Sequence, residues 1–116
     1  MEKTIKSINL HKDRKEYNIK CESIDYIKAY SGEVEIKVRD IIFRKDSTLD
    51  EMEKILPESD FFRVSRSYIV NLSSIAYEIG SSILKIGDVE IPISRRRKNE
   101  FIRRFMEKKL GDCIVK

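Results

Sequence analysis

Hydrophobic and polar residues alternate with a period of two over much of the chain. The cleanest run is Glu33-Val34-Glu35-Ile36-Lys37-Val38-Arg39, where Val34, Ile36 and Val38 share one face and charges occupy the other. That is the pattern of a half-buried strand. Ile24–Ala29 lies before it, so the two segments predict a hairpin turning near Gly32. Ile41–Phe43 continues the strand pattern after a turn at Asp40. Ser82–Ile86 and Val89–Ile93 flank Gly87-Asp88, a Gly-first pair that suits a two-residue turn. Pro92 has no amide hydrogen for a ladder, so the second of these strands belongs at an edge or ends there. Ile75–Ile79 reads as a further strand ending at Gly80, and Ile5–Leu10 and Tyr17–Cys21 as two more joined across the charged turn His11–Lys15.

Two segments carry helical spacing instead. In Asp46–Leu56, Leu49, Met52, Ile55 and Leu56 form one apolar face and Pro57 ends the run. Ser47 or Thr48 can cap its start, with Asp50 or Glu51 three residues on as in a capping box. The second helix is predicted from Ser94, as N-cap, to Leu110, with Gly111 as its stop. Its apolar stripe is Phe101, Ile102, Phe105 and Met106, which covers one side of a sheet and can extend to Leu110. The connections are too short for parallel crossovers, so the expected fold is mostly β and antiparallel, with one internal and one C-terminal helix.

Composition narrows this picture. At 116 residues, with 41% hydrophobic and 38% charged residues and only 4 Gly and 2 Pro, the chain is predicted to be one globular domain over residues 1–116. It holds no apolar run of the about 20 residues needed to span a bilayer, and its charged start does not resemble a signal peptide. Cys21 and Cys113 lie far apart with no CxxC and no histidine cluster, so both are expected as free thiols without metal, in a cytoplasmic protein. His11 is the single histidine. With no nucleophile–base spacing, no Gly-rich phosphate loop and no metal-ligand cluster, the sequence argues against an enzyme and implies no cofactor.

Charge is where the sequence becomes specific. The net charge is +4, yet Ser94–Leu110 alone carries eight basic residues against Glu100 and Glu107, while residues 1–93 hold 15 basic and 17 acidic residues. A basic patch on a balanced body is the usual electrostatic profile of a nucleic-acid binder. Charged amphipathic helices are common, however, and the patch could serve solvation alone. More telling is the run Arg95-Arg96-Arg97-Lys98 directly after Ser94. Each cation at the positive end of a helix dipole costs about 0.3–1 kcal/mol at the surface. Helix N-termini bind anions, and arginines beside one strengthen phosphate binding. Arginine also reads guanine edges in bidentate fashion. A second cluster interrupts bulky apolar residues: Arg66 stands between Ser65 and Ser67, offering one cation and two hydroxyls from a loop or short-helix end. Phe62, Tyr68, Val70 and Leu72 around it are expected in the core, and Asn71 as a structural hydrogen bonder.

The run Phe62-Arg63-Val64-Ser65-Arg66-Ser67-Tyr68-Ile69-Val70-Asn71-Leu72 resembles the central motif of the LytTR-type DNA-binding domains. Ile91-Pro92-Ile93-Ser94-Arg95-Arg96 is similar to that family's terminal signature, Ile24-Asp25-Tyr26-Ile27 to its early strand, and Leu49–Leu56 to its internal helix. The resemblance spans about residues 5–110. It departs at Ser65, where many members carry histidine. What it implies is an elongated, mostly antiparallel fold of about ten short strands, whose loops enter successive major grooves of double-stranded DNA. By motif position the contacts would come from Ser31, Gly32 and Glu33, from Ser65, Arg66 and Ser67, and from Ser94, Arg95, Arg96, Arg97 and Lys98. Glu33 repels phosphate but can accept from cytosine N4.

The resemblance further implies a bacterial transcriptional regulator or the output domain of a two-component response regulator. Its partners would be promoter direct repeats, with dimerisation on DNA or through a receiver domain, and no membrane. Two other readings stay open: a basic β-rich module for RNA or single strands, and a protein-interaction domain using the last helix. Against the first, Tyr26, Phe43, Phe61, Phe62, Tyr68 and Tyr77 mostly fall on apolar faces rather than on an exposed stacking platform.

Overall fold

The computed structural model describes residues 4–113, and the side chains of residues 4–111. Strand β1 (Ser7–Lys12) pairs antiparallel with β2 (Lys15–Lys20). The turn between them is only Asp13-Arg14, with φ of 53° and 69°. Two left-handed residues make the tight turn whose twist matches a hairpin, so both strands run further into the charged segment than its composition predicted. A short 3-10 turn, Cys21–Ser23, leads into β3 (Tyr26–Tyr30), β4 (Glu33–Val38) and β5 (Ile41–Lys45). After α1 (Leu49–Ile55), β6 (Phe61–Arg63) and β7 (Tyr68–Asn71) complete a five-stranded antiparallel sheet in the order β5-β4-β3-β7-β6. A separate hairpin, β8 (Ile83–Ile86) and β9 (Val89–Pro92), precedes a 3-10 turn, Arg95–Arg97, and α2 (Lys98–Cys113).

Successive residues of a strand face opposite sides of the sheet, and here both sides carry a core. Ile27, Val34, Ile36 and Phe43 face α1 and β1, meeting Met52, Leu56 and Leu10. Tyr26 and Val70 face the other way, toward Leu84 and Ile91 of the hairpin and Phe101 and Phe105 of α2. Each large side chain buried this fully contributes about 1.5–3 kcal/mol of transfer free energy. Tyr77 stands edge-on to both Phe101 and Phe105, with ring centroids 4.9 and 5.5 Å apart. The β4–β5 end of this second face carries Glu33, Glu35, Lys37 and Arg44 by register. The radius of gyration is 14.1 Å and the extents are 42 × 35 × 30 Å, slightly elongated beside the about 13 Å of a compact chain of this size.

Among the described residues, nine strands and two α-helices, all ladders antiparallel, agree with the expected class. Three local expectations need correction. Ile75–Ile79 is not a strand: a single bridge joins Ala76 to Lys85, because the amide of Ser81 bonds to the Glu78 carbonyl and curls the chain through Gly80 at φ 98°. Of the two readings open for Arg66, a loop or a short-helix end, the structure has the loop, the bend between β6 and β7. Ser94 makes no side-chain cap, and the chain passes through one 3-10 turn before α2 begins. Finally, α2 continues through Gly111, since glycine costs a helix about 1 kcal/mol without forbidding it. Cys21 is a buried free thiol. Its Sγ donates to the Ile5 carbonyl at 3.6 Å, and burial, then the charge of Asp60, pushes its pKa up. The thiol of Cys113 lies outside the described side chains. Among the described residues no helix is long and apolar enough to cross a membrane.

Candidate nucleic-acid interface

Three segments carry the candidate residues, and the fold gathers them around the end of β6. The first is the β3–β4 turn. Ser31 (φ 45°) and Gly32 (φ 86°) are both left-handed and exposed, which glycine accepts freely and serine at a conformational cost. Glu33 opens β4 half-buried, and its Oε1 is enclosed without a hydrogen-bond partner. An enclosed carboxylate oxygen without a donor is costly to bury.

The second segment, Ser65–Ser67, is organised from inside. The Ser65 hydroxyl accepts from the Ser67 amide at 3.1 Å, and the Ser67 carbonyl accepts from the Ala29 amide of β3 at 2.9 Å. Both serines therefore hold backbone, whereas the Arg66 side chain is exposed and takes no described hydrogen bond or ion pair. Arg63 lies beneath the loop, with a side chain only 13% exposed. Its Nε donates to the Ser65 carbonyl at 3.0 Å and its Nη2 to the Arg66 carbonyl at 3.1 Å. Its Nη1 meets Asp50 Oδ1 at 2.5 Å and Glu53 Oε1 at 3.2 Å, both on α1.

The third segment is tied to the second. The Ser94 amide donates to the Val64 carbonyl at 2.8 Å, and Arg97 Nη1 to the Arg63 carbonyl at 3.2 Å. Arg95 and Arg96 are exposed and Lys98 is half-buried at the start of α2, none with a described side-chain partner. A shallow groove also joins the first and second segments, bordered by Ser31, Gly32, Glu33, Arg63 and Arg66.

Further along α2 the cations are occupied. Arg103 pairs with Glu100 and with Glu107, the latter at 2.8 Å. Lys108 meets Asp60 at 2.8 Å. Arg104 donates to the Glu58 carbonyl and lies over Phe62, 5.7 Å from the ring centroid. Lys109 sits over Phe105 at 5.4 Å. The basic run thus divides into a bonded half on the helix and a freer half at its start.

Sequence reasoning gave Arg63 no role. The available signal was an arginine between the apolar Phe62 and Val64, together with acids three apart on one face of α1. It also passed over Arg44, whose guanidinium stacks 4.6 Å from the ring centroid of exposed Tyr30 beside the first turn.

An antiparallel β domain with a basic end built from three tethered loops defines a nucleic-acid-binding class of module. Residues 14–106 match the model of the LytTr DNA-binding domain, and the chain belongs to that family, which makes it a DNA-binding domain of transcription regulation. The sensory transduction protein LytT of Bacillus subtilis (strain 168) is 34% identical over 91 residues, covering 71% of this chain and 36% of that protein. The chain therefore spans little more than a third of that relative's length. A solved LytTr DNA-binding domain from Bacillus cereus shares the fold with a TM-score of 0.73 at 19% identity, over 88% of this chain and 97% of that one.

Proposed function

We propose that this domain recognises a specific sequence in double-stranded DNA, with the turn at Ser31–Glu33, the loop Ser65–Ser67 and the segment Ser94–Lys98 reading successive major grooves. The observation that carries the reading is the split in the basic residues. Arg66, Arg95 and Arg96 are exposed and unpaired at the tethered loops, while Arg103, Arg104 and Lys108 are bonded within the protein. A cation without an internal partner keeps its donors for base edges or phosphates.

The half-buried aromatics favour duplex over single-stranded targets. Phe62, Tyr68 and Tyr77 pack against the second core instead of forming a stacking platform. Two or more copies on direct repeats, as the output domain of a response regulator, fit a chain that matches one part of a longer sensory transduction protein. Selection of binding sites from a random duplex pool tests the proposal. The expected result is one enriched sequence, bound more tightly than its scrambled duplex and its separated strands. No enrichment, or equal affinity for single strands, rejects it.

A further inference from the structure

Arg63 brings four acceptors from two elements to one guanidinium. All three of its nitrogens are engaged: Nε and Nη2 on the carbonyls of Ser65 and Arg66, Nη1 on the carboxylates of Asp50 and Glu53. Its own carbonyl accepts from Arg97 of the third segment, and the next carbonyl, Val64, accepts from Ser94. With its side chain 13% exposed and all three nitrogens occupied by acceptors of the protein, Arg63 is poorly placed to touch DNA, unlike Arg66 three residues on.

We propose that Arg63 is the positioning residue of this interface: it ties the reading loop to α1 and so sets where Arg66 points, without contacting DNA itself. Loops are the mobile parts of a fold, and a reading loop discriminates between bases only if its backbone is held. The planar fork of arginine can hold two carbonyls and two carboxylates at once. A lysine ammonium, a single point of charge, cannot reproduce that geometry. The acids make the tether directional. Asp50 and Glu53 are largely solvent-exposed, with side chains 78% and 51% accessible, so they anchor the guanidinium on the α1 side and leave its other edge for the loop. This inference rests on the loop-reading function proposed above.

The test compares wild-type protein with Arg63→Lys and with the double variant Asp50→Asn/Glu53→Gln. Each is titrated against a selected duplex and a scrambled one, with folding checked by circular dichroism. The double variant leaves Arg63 in place and alters only exposed side chains, so it stays informative if Arg63→Lys folds poorly. The expected result is a fall of about tenfold or more in the selected-over-scrambled ratio for Arg63→Lys, comparable to losing one good base contact. A smaller fall in the same direction is expected for the double variant. The scrambled-duplex affinity should stay near wild type for Arg63→Lys and rise for the double variant, which removes two negative charges beside the loop. A double variant with the wild-type ratio would overturn the inference, because Arg63 would then act on its own. Equal losses on both duplexes would also overturn it, by showing a general loss of fold. If the wild type itself shows no preference, the loop-reading function fails first, and the Arg63 comparison is not what rejected it.

Discussion

Arg66 and Arg95 extend from the ends of elements into solvent, and Lys108 does the opposite, reaching back 2.8 Å to Asp60. The same charge should therefore have different consequences at these positions. Arg66→Ala and Arg95→Ala are each expected to cost about 1–3 kcal/mol on a selected duplex and far less on a scrambled one. Lys108→Ala should leave both affinities nearly unchanged and lower stability by at most about 1 kcal/mol, the worth of a surface pair. Titrations on the two duplexes decide this; a larger effect at Lys108 than at Arg66 would move the interface onto α2. Asp50 gives a second prediction at this scale. The hydrogen bond from Arg63, then its charge, holds the Asp50 carboxyl below its ordinary value of 3.8. A carboxylate with a lowered folded pKa contributes stability that is present above its unfolded value and lost as pH falls through the lowered one. Acid unfolding of Asp50→Asn followed by circular dichroism should accordingly show a shallower loss of stability below pH 3.8 than the wild type. Coincident acid limbs would mean that the pair contributes nothing in solution.

At the scale of the element, α1 shows what short-range chemistry can specify. Between the two capping choices open in the sequence, the fold uses Thr48. Its hydroxyl accepts from the Glu51 amide at 3.1 Å, and the Glu51 carboxylate accepts from the Thr48 amide at 3.0 Å. Bonds from Ser47 and from the Thr48 amide hold the Glu51 pKa down. Thr48→Ala should cost about 0.5–2 kcal/mol, read as a lower denaturant midpoint with an unchanged slope. A changed slope would mean that the helix does more than end neatly. Elements set by short-range pattern were legible in this way: the hairpins at Gly32 and Gly87, α1, and the Phe101–Phe105 part of the α2 stripe. Met106 and Leu110, read into the same stripe, are exposed because the sheet and hairpin end before them. Ile75–Ile79 was misread because alternation records which side chains face inward, not whether another strand is there to pair with. Strands β6 and β7 were hidden for a related reason. At three and four residues they are too short for a period to emerge, and their place in the sheet comes from β3, which pairs with β7, and from β7, which pairs with β6. The basic cluster and the Arg66 loop could be located by composition and motif. The Arg63 tether could not, since it depends on α1 and β6 meeting in space.

For the whole molecule, net charge matters less than where it lies. With a segment carrying +6 on a nearly neutral body, association with DNA should weaken steeply with salt. For about 4–6 phosphate contacts, log K should fall against log salt with a slope of about −0.9 per contact. Arg95→Ala should reduce that slope on a scrambled duplex by no more than one contact's worth. A flat salt response would separate this domain from its electrostatic profile altogether, and would favour a protein partner for α2.

The five-stranded sheet serves as a wall shared by two cores, and that arrangement divides the domain into parts of unequal permanence. The amides of β3 lie between β4 and β7 with apolar packing on both faces, so they should exchange with solvent deuterium only when the whole domain opens. The β8–β9 hairpin is a sheet of its own: among the described residues one β-bridge, Ala76–Lys85, joins it to the chain before it, and it is held to the wall by side-chain packing in the second core instead of by a ladder. Its amides should exchange through smaller openings, faster than those of β3 and with little dependence on denaturant. Equal protection in the two places would instead describe one cooperative unit. In the expected case, the basic turn at Arg95–Arg97 follows the looser half, and the bonds from Ser94 to Val64 and from Arg97 to Arg63 are what keep it in place beside the wall when the hairpin opens.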